Sequence, residues 1–134
     1  MPGDFLDTNV LVYAFSLDPR AQRAEALLAQ GGAVSVQGLN EFTNVARRKL
    51  GMSWKEVREA LAAIRVLCKP VLPVDIDTHT DALDVAERYG YSIFDALTIA
   101  TALRAGCDVF YSEDMGERTR IGGRLQIVNP FRRS

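Results

Sequence analysis

The stretch YSIFDALTIATALRAGCDVFYSEDM, residues 91–115, decides the fold of this 134-residue chain. Ser92 is a suitable N-cap for a helix, the residues after it are apolar nearly all round, and Gly106 ends the run. A helix that is apolar on every side is buried in the protein. The β-rich segment DVFYS follows directly. Residues 91–115 therefore predict a buried helix, from about residue 92 to 105, that leads into a strand.

The same alternation of strand and helix runs through the rest of the chain. The strand patterns are DFLD, AVSV, VLPV, DVFYS and LQIV, and the helical patterns cover residues 19–30, 37–50, 54–69 and 75–89. Residues 9–15 fit either a continued strand or a short helix. Alternation over a chain of this length predicts one α/β domain, residues 1–134, with a mainly parallel sheet between helices.

Local signals mark the starts of the predicted helices. Asp18 and Pro19 resemble a cap and first helical residue, and Gly31 follows the end of that helix. Ser53 and Glu56 form a capping-box pattern. These signals place three helix ends without any knowledge of the fold.

Composition excludes several classes of protein. The net charge is -1, which predicts nothing about partners, and the two cysteines form no CxxC pair, so neither a disulfide framework nor a zinc site is indicated. The N-terminus lacks a signal-peptide pattern, and no apolar run approaches membrane-spanning length. We expect a soluble cytoplasmic protein with no membrane partner.

Four acidic residues fall at one edge of the predicted sheet. Crossover helices run antiparallel to their strands, so helix N-termini and strand C-termini meet at the edge where open α/β sheets bind ligands. The four are Asp7, Glu41, Asp95 and Asp114. Two unit charges about 4 Å apart repel by roughly 4 kcal/mol at an effective dielectric constant of about 20. Either protonation or a bound cation must offset that repulsion, and all-oxygen ligands suit Mg²⁺ or Mn²⁺.

A simpler interpretation remains open for these acids. Asp95 lies three residues after Ser92, so it fits the acidic half of a capping box at a helix N-terminus. Other acids also lie near the same edge or start a helix, so edge geometry alone does not select four; they are Asp18, Glu56, Asp75, Asp77 and Glu113. His79, the single histidine, is interpreted as a surface residue.

Which of these acids form the site is indicated by the resemblance of three segments to the motifs of a known family. The segments FLDTNVLVYAF, VSVQGLNEF and YSIFDALTIATALRAGCDVFYSEDM resemble, in order and spacing, the motifs of the PIN-domain family, most closely its VapC-like toxins. The resemblance implies a three-layer sandwich with a parallel five-stranded sheet, and a short helix at residues 9–15. It also implies that the four acids cut RNA with a divalent metal, held by Asp7, Asp95 and Asp114.

The resemblance extends to supporting residues and partners. Asn9 matches the polar residue of the first motif, and Ser112 matches the small hydroxyl residue before the fourth acid. Gly38 departs from the larger apolar residue usual in relatives, and it weakens the start of the helix that carries Glu41. A VapC-like protein implies a homodimer and an antitoxin whose C-terminal segment lies across the active site.

Basic residues outside the acidic site would hold the RNA backbone. Our candidates are Arg118, Arg120 and Arg124, for which a solvated edge is the alternative. Residues 46–50 are a second candidate, although cations at a helix C-terminus have a local explanation. The apolar residues of the helices from Trp54 to Cys68 and from Asp77 to Tyr89 are possible contact faces, with a core role as the commoner explanation.

Three other functions compete with a ribonuclease. A receiver-like Mg²⁺-binding signalling module would use Asp75 as phosphoryl acceptor and a late lysine, but no lysine follows Lys69. A catalytically silent PIN fold would bind RNA or a protein without cutting. A DNA-cutting relative is the third, because attack by water needs no 2′-hydroxyl.

Overall fold

Short parallel strands between two layers of helices form the protein. The computed structural model describes residues 3–132. In that range the strands are β1 (Asp4–Leu6), β2 (Val34–Ser35), β3 (Val71–Leu72), β4 (Val109–Tyr111), β5 (Arg118–Ile121) and β6 (Leu125–Val128). The helices are α1 (Thr8–Ala14), α2 (Ala21–Gln30), α3 (Val36–Arg48), α4 (Trp54–Leu67), α5 (Ile76–Tyr89) and α6 (Ile93–Arg104).

The main sheet has the strand order β1-β4-β6-β5, in which β1, β4 and β6 are parallel and β5 is antiparallel to β6. β2 and β3 form a separate parallel pair. A single bridge between Phe5 and Ala33 connects the pair to β1. The α/β class is confirmed, but the expected five-stranded sheet is wrong: the main sheet has four strands. The β2–β3 pair is separate because both strands are short. Only one bridge to β1 forms where a continuous ladder of hydrogen bonds was expected.

β5 is a strand that the sequence pattern did not predict. Arg118, Thr119 and Arg120 are all exposed, so the segment has no apolar alternation. Its register shifts between Arg118 and Ile121, and Arg120 has a φ of 60° at that irregularity. Pairing with β6, rather than local preference, makes this segment a strand.

Alternating side chains of the sheet supply two cores. Phe5 points to the layer of α5 and α6, where it stacks on Phe110 with ring centroids 5.3 Å apart and packs near Ile99. Leu6, the next residue, points to the layer of α1 to α4 and belongs to the second hydrophobic core, which contains Phe42. Successive strand residues face opposite sides of a sheet. The two clusters confirm a three-layer sandwich.

Most helix ends lie where the sequence predicted them. Ser53 and Glu56 make the capping box of α4, and residues 9–15 mostly belong to the short helix α1. α2 ends at Gly31, whose φ of 84° suits glycine, but it begins at Ala21 and not at Pro19. The later start has a local cause, because the Asp18 carboxylate accepts the N–H of Arg20 at 2.9 Å in a turn. Over residues 3–132, no helix is both long and apolar enough to cross a membrane.

Candidate active site

The carboxyl edge of the main sheet carries a cleft of about 450 Å³ lined by all four predicted acids, Asp7, Glu41, Asp95 and Asp114. Asp7 directly follows β1 and Asp114 follows β4, and these two strands are neighbours. Asp95 is in the first turn of α6, and Glu41 lies in the second turn of α3. The fold therefore gathers residues that are more than 100 positions apart in the chain.

Asp7 is the buried member of the group, with 8% of its surface exposed. Its carboxylate caps α1 by accepting the N–H of Thr8 at 2.8 Å, and it accepts the hydroxyl of Ser112 at 2.7 Å. Burial is the main cause that raises the pKa of Asp7 from 3.8 to about 6, and the charges of Glu41 and Asp95 act in the same direction. The two hydrogen bonds lower the pKa but do not offset burial. A cation beside Asp7 would stabilise its charged form.

Glu41 is held by two side chains that the sequence analysis did not single out. Thr8 donates its hydroxyl to one carboxylate oxygen at 3.3 Å, and the Gln37 amide donates to the other at 3.3 Å. Gln37 and Glu41 are four residues apart on α3, which is the spacing of neighbours on a helix face. That spacing is a signal by which Gln37 could have been found.

Gly38 is compatible with a well-formed start of α3. Its N–H donates to the Ser35 side chain at 2.9 Å, which caps the helix. A Cβ at this position would stand 3.4 Å from the Ser35 hydroxyl oxygen and 3.7 Å from that of Thr8, both ordinary contacts. The packing therefore does not require glycine at position 38.

Asp114 is positioned from the first motif of the chain. The Asn9 amide donates to its carboxylate at 3.3 Å, and Ser112 accepts its backbone N–H at 3.4 Å. Ser112 thus contacts both Asp7 and Asp114. In the described part of the chain, the Asn9 Oδ1 atom is buried and has no hydrogen-bond partner. An oxygen of that kind beside carboxylates is suited to a cation or to a bound donor.

Asp95 is exposed at the mouth of the cleft. Ser92 caps α6 by accepting the backbone N–H of Asp95 at 3.2 Å. Within residues 3–132, the reciprocal bond from the Ser92 N–H to the Asp95 carboxylate is absent, so only half of the capping box forms. The Asp95 carboxylate is therefore left without the partner that the simpler interpretation gives it.

Glu113, one of the alternative acids, holds the loop after β4 in place. Its carboxylate accepts the Tyr13 hydroxyl at 2.6 Å and lies 3.1 Å from the Arg20 guanidinium. Burial, followed by the bond to Glu113, raises the pKa of Tyr13 to about 12, so the phenol stays a donor. The Arg20 guanidinium lies 4.9 Å from the centre of the Tyr13 ring. These contacts join α1 and the α1–α2 connection to the loop that carries Asp114.

Three of the other alternative acids have local structural roles. Asp18 pairs with Arg20 at 3.0 Å, Glu56 completes the capping box of α4, and Asp75 caps α5 by accepting the N–H of Thr78 at 2.9 Å. Asp75 thus has a sufficient structural explanation without a phosphoryl-acceptor role. None of these three lines the cleft of Asp7.

The ligand atoms of the cleft are of the type that a hard divalent cation prefers. The carboxylates that carry them do not converge on one point. The four carboxylates and the unpartnered Asn9 oxygen are the oxygen donors that Mg²⁺ or Mn²⁺ prefers. As the side chains stand in residues 3–132, no three acidic, histidine or cysteine residues are close enough to share one ion. Asp95 and Asp114 are exposed, so their side chains have room to rotate toward an ion.

The three arginines predicted to bind RNA lie outside this cleft. Arg118 lies over the ring of Tyr91, with its guanidinium 5.1 Å from the ring centre, and Arg120 is exposed in β5. Arg124 lies at the opposite edge of the sheet, where it donates to the carbonyl oxygens of Leu103 at 2.6 Å and Cys107 at 3.3 Å. The RNA-binding role of these arginines stays a prediction.

One basic residue does line the cleft. Lys49, from the second predicted basic segment at residues 46–50, lines the cleft and is exposed. Among residues 3–132 it has no carboxylate within 4.0 Å. Its ammonium group is thus available to an anion that enters the cleft.

Comparison with known proteins identifies the family. The model of the PIN domain matches residues 5–118, so the chain belongs to the PIN domain family. Sequence comparison with curated proteins finds no significant match.

The fold is similar to solved structures of a VapC toxin and of toxin–antitoxin complexes. VapC20 from Mycobacterium tuberculosis, described as a sarcin–ricin loop cleaving toxin, is 26% identical over 84% of this chain and 90% of its own, with a TM-score of 0.68. A toxin–antitoxin complex from Klebsiella pneumoniae is 19% identical over 96% and 98%, with a TM-score of 0.73. VapBC2 from Rickettsia felis, bound to a promoter DNA fragment, is 18% identical over 94% and 98%, with a TM-score of 0.65. The last two, below 25% identity, show the fold alone.

Proposed function

We propose that this protein is a metal-dependent endoribonuclease that hydrolyses RNA phosphodiester bonds as the toxin of a toxin–antitoxin pair. The observation that carries the proposal is the single cleft lined by Asp7, Glu41, Asp95 and Asp114. Three of these acids, Asp7, Glu41 and Asp114, accept hydrogen bonds from side chains of other segments, and this positioning supports the proposal. The similarity to a sarcin–ricin loop cleaving toxin supports the choice of reaction.

The proposed chemistry divides the work among the residues of the cleft. Asp7, Asp95 and Asp114 would hold Mg²⁺ or Mn²⁺, which supplies an activated water and offsets charge on the phosphate. Ser112 fixes the orientation of the Asp7 carboxylate, and Asn9 fixes that of Asp114. Glu41, held at both oxygens by Thr8 and Gln37, would orient the attacking water and take up its proton.

A PIN fold that binds RNA or a protein without cutting is the second candidate. It is favoured by one observation, namely that no three ligating groups converge in the described residues. The two candidates differ in a measurable way, because only the nuclease produces new RNA ends that depend on a metal.

The deciding experiment is end-resolved sequencing of a total-RNA pool after incubation with the purified protein in Mg²⁺, Mn²⁺ or EDTA. Asp95→Asn is the inactive variant, and Asp77→Asn is its matched control, because Asp77 also lies in the first turn of a helix but outside the cleft. We expect discrete cuts with the wild type and with Asp77→Asn, and none with Asp95→Asn or EDTA. Equal cutting by Asp95→Asn would refute the role of these acids, and binding without cutting would favour the silent module.

We also propose two protein partners, a second copy of the chain and an antitoxin. Support comes from the similarity to the toxin–antitoxin complex of Klebsiella pneumoniae and from exposed apolar side chains on the two predicted contact helices, such as Trp54, Val66 and Leu83. Sedimentation of the purified protein tests self-association. Loss of a dimer in Val66→Glu, but not in the exposed control Lys55→Glu, would place the interface on α4.

A further inference from the structure

We infer that Phe94 is a platform on which an unpaired base of the RNA stacks while its backbone lies in the acidic cleft. The inference rests on the proposed nuclease function and adds to it a residue that binds a base of the RNA. Phe94 directly precedes Asp95 on α6 and lines the same cleft as the four acids. A base stacked on it would belong to a nucleotide next to the phosphate that is cut.

Phe94 is the most exposed aromatic residue of the described chain. Its helix is otherwise largely buried, yet Phe94 is 67% exposed. The other exposed aromatic residue of the described chain is Trp54, which is 56% exposed, and the guanidinium of Arg47 covers its ring at 4.6 Å. In residues 3–132, Phe94 has no such cation or aromatic ring against its face. An open aromatic face at the rim of a charged cleft is suited to a base.

Lys49 supplies the second part of the contact. It lines the same cleft and is not paired with any carboxylate in the described residues, so it can bind a phosphate of the same strand. Val12 and Val45 line the same cleft and add apolar surface. An aromatic face, a free cation and a carboxylate group in one cleft match the base, the backbone and the reacting phosphate of one strand.

The geometry predicts a preference for unpaired nucleotides. A base in a duplex already stacks on its neighbours and cannot also lie on Phe94 unless it is unstacked. The π-face of every base is alike, so Phe94 selects single strands and loops and gives little choice among the four bases.

The test is a double-mutant cycle between Phe94 and the bases of the RNA. Fluorescein-labelled U12 and A12 oligoribonucleotides are compared with a 12-mer in which every nucleotide is abasic, because a homopolymer that lacks only one base can shift and place an intact base on Phe94. Binding is measured by fluorescence anisotropy in an Asp7→Asn background, which keeps the RNA intact, while the wild type is assayed in parallel for cutting. The variants are Phe94→Leu, which keeps apolar bulk, and Phe94→Trp, which keeps the aromatic face.

We expect Phe94→Leu to bind intact oligoribonucleotides about 5- to 100-fold more weakly, with Phe94→Trp close to Phe94 itself. On the fully abasic strand the difference between Phe94 and Leu should vanish. Equal binding of intact strands by Phe94→Leu, or an equal loss on the intact and abasic strands, would overturn the stacking role and leave the nuclease proposal standing if the wild type cuts. A wild type that neither binds nor cuts any of the oligoribonucleotides, or the total-RNA pool, would overturn both proposals. Unchanged RNA binding with lost self-association would instead assign Phe94 to a protein interface.

Discussion

Replacement of Asp7 by asparagine should abolish RNA cutting and at the same time stabilise the metal-free protein. Burial, together with nearby negative charge, raises the pKa of Asp7 from 3.8 to about 6. A rise of about two in pKa corresponds to about 3 kcal/mol of destabilisation by the charged form. Asparagine is neutral and similar in shape. Its side-chain oxygen can accept the Thr8 N–H, and its amide group can donate to the Ser112 hydroxyl.

The sign of the pH dependence follows from the direction of the pKa change. Between pH 4 and pH 6 the folded wild type binds more protons than the unfolded chain, so its stability falls as the pH rises through this window. Above about pH 6 the full cost of the Asp7 charge is present. The stability gained in Asp7→Asn should therefore be largest at neutral pH and shrink toward zero near pH 4.

The assay is thermal and urea unfolding in EDTA at pH 7.5 and at pH 4.5. At pH 7.5 we expect Asp7→Asn to melt about 10 °C higher than the wild type, which is the shift that about 3 kcal/mol gives in a domain of this size. Asp95→Asn is the control, since its exposed carboxylate should change the melting temperature much less. Added Mn²⁺ should stabilise the wild type and not Asp7→Asn. A gain that is absent at pH 7.5, or equal at both pH values, would refute the electrostatic explanation.

Three further predictions concern stability. Gly38→Ala should raise the free energy of unfolding by about 0.5–1 kcal/mol, because alanine favours the helix and its Cβ meets only ordinary contacts; a loss in urea unfolding would show that α3 needs glycine there. Ser53→Ala should cost about 1 kcal/mol by removing the cap of α4, and Ser53→Thr should restore most of it in the same measurement. Arg124→Gln should cost about 1 kcal/mol, because two carbonyl oxygens lose their donor; weaker RNA binding at unchanged stability would instead support the phosphate contact predicted from the sequence.

The elements that were predicted correctly are those with a strong local signal. The buried helix α6 was visible in its continuous apolar run, and α4 in its capping box. β5 was missed because its exposed residues become a strand only through pairing with β6. The separation of the β2–β3 pair from the main sheet could not be predicted either, because it depends on how far two short strands extend beside β1.

In the candidate site, too, the residues were predictable from sequence motifs and many of their contacts were not. The order of the motifs predicted four acids that line one cleft, and Asn9 and Ser112 beside them. The contacts of Thr8, Tyr13 and Lys49 could not be predicted, because each joins segments that are far apart in sequence or depends on where a helix ends. Distances between side chains are set by packing, and a pattern of residue types does not contain them.

The hydrogen bond between Ser112 and Asp7 spans 105 residues, and it has a consequence for synthesis of the chain. The strand that pairs with β1 along its full length is β4, so a growing polypeptide carries Asp7 and Glu41 long before β4 and the Ser112 and Asp114 that follow it have been made. Fragments that end before β4 therefore lack Asp114 and the Ser112 hydroxyl that holds Asp7, and they should leave RNA intact. A ribosome that makes this protein would be exposed to the finished cleft only after nearly the whole domain has been translated.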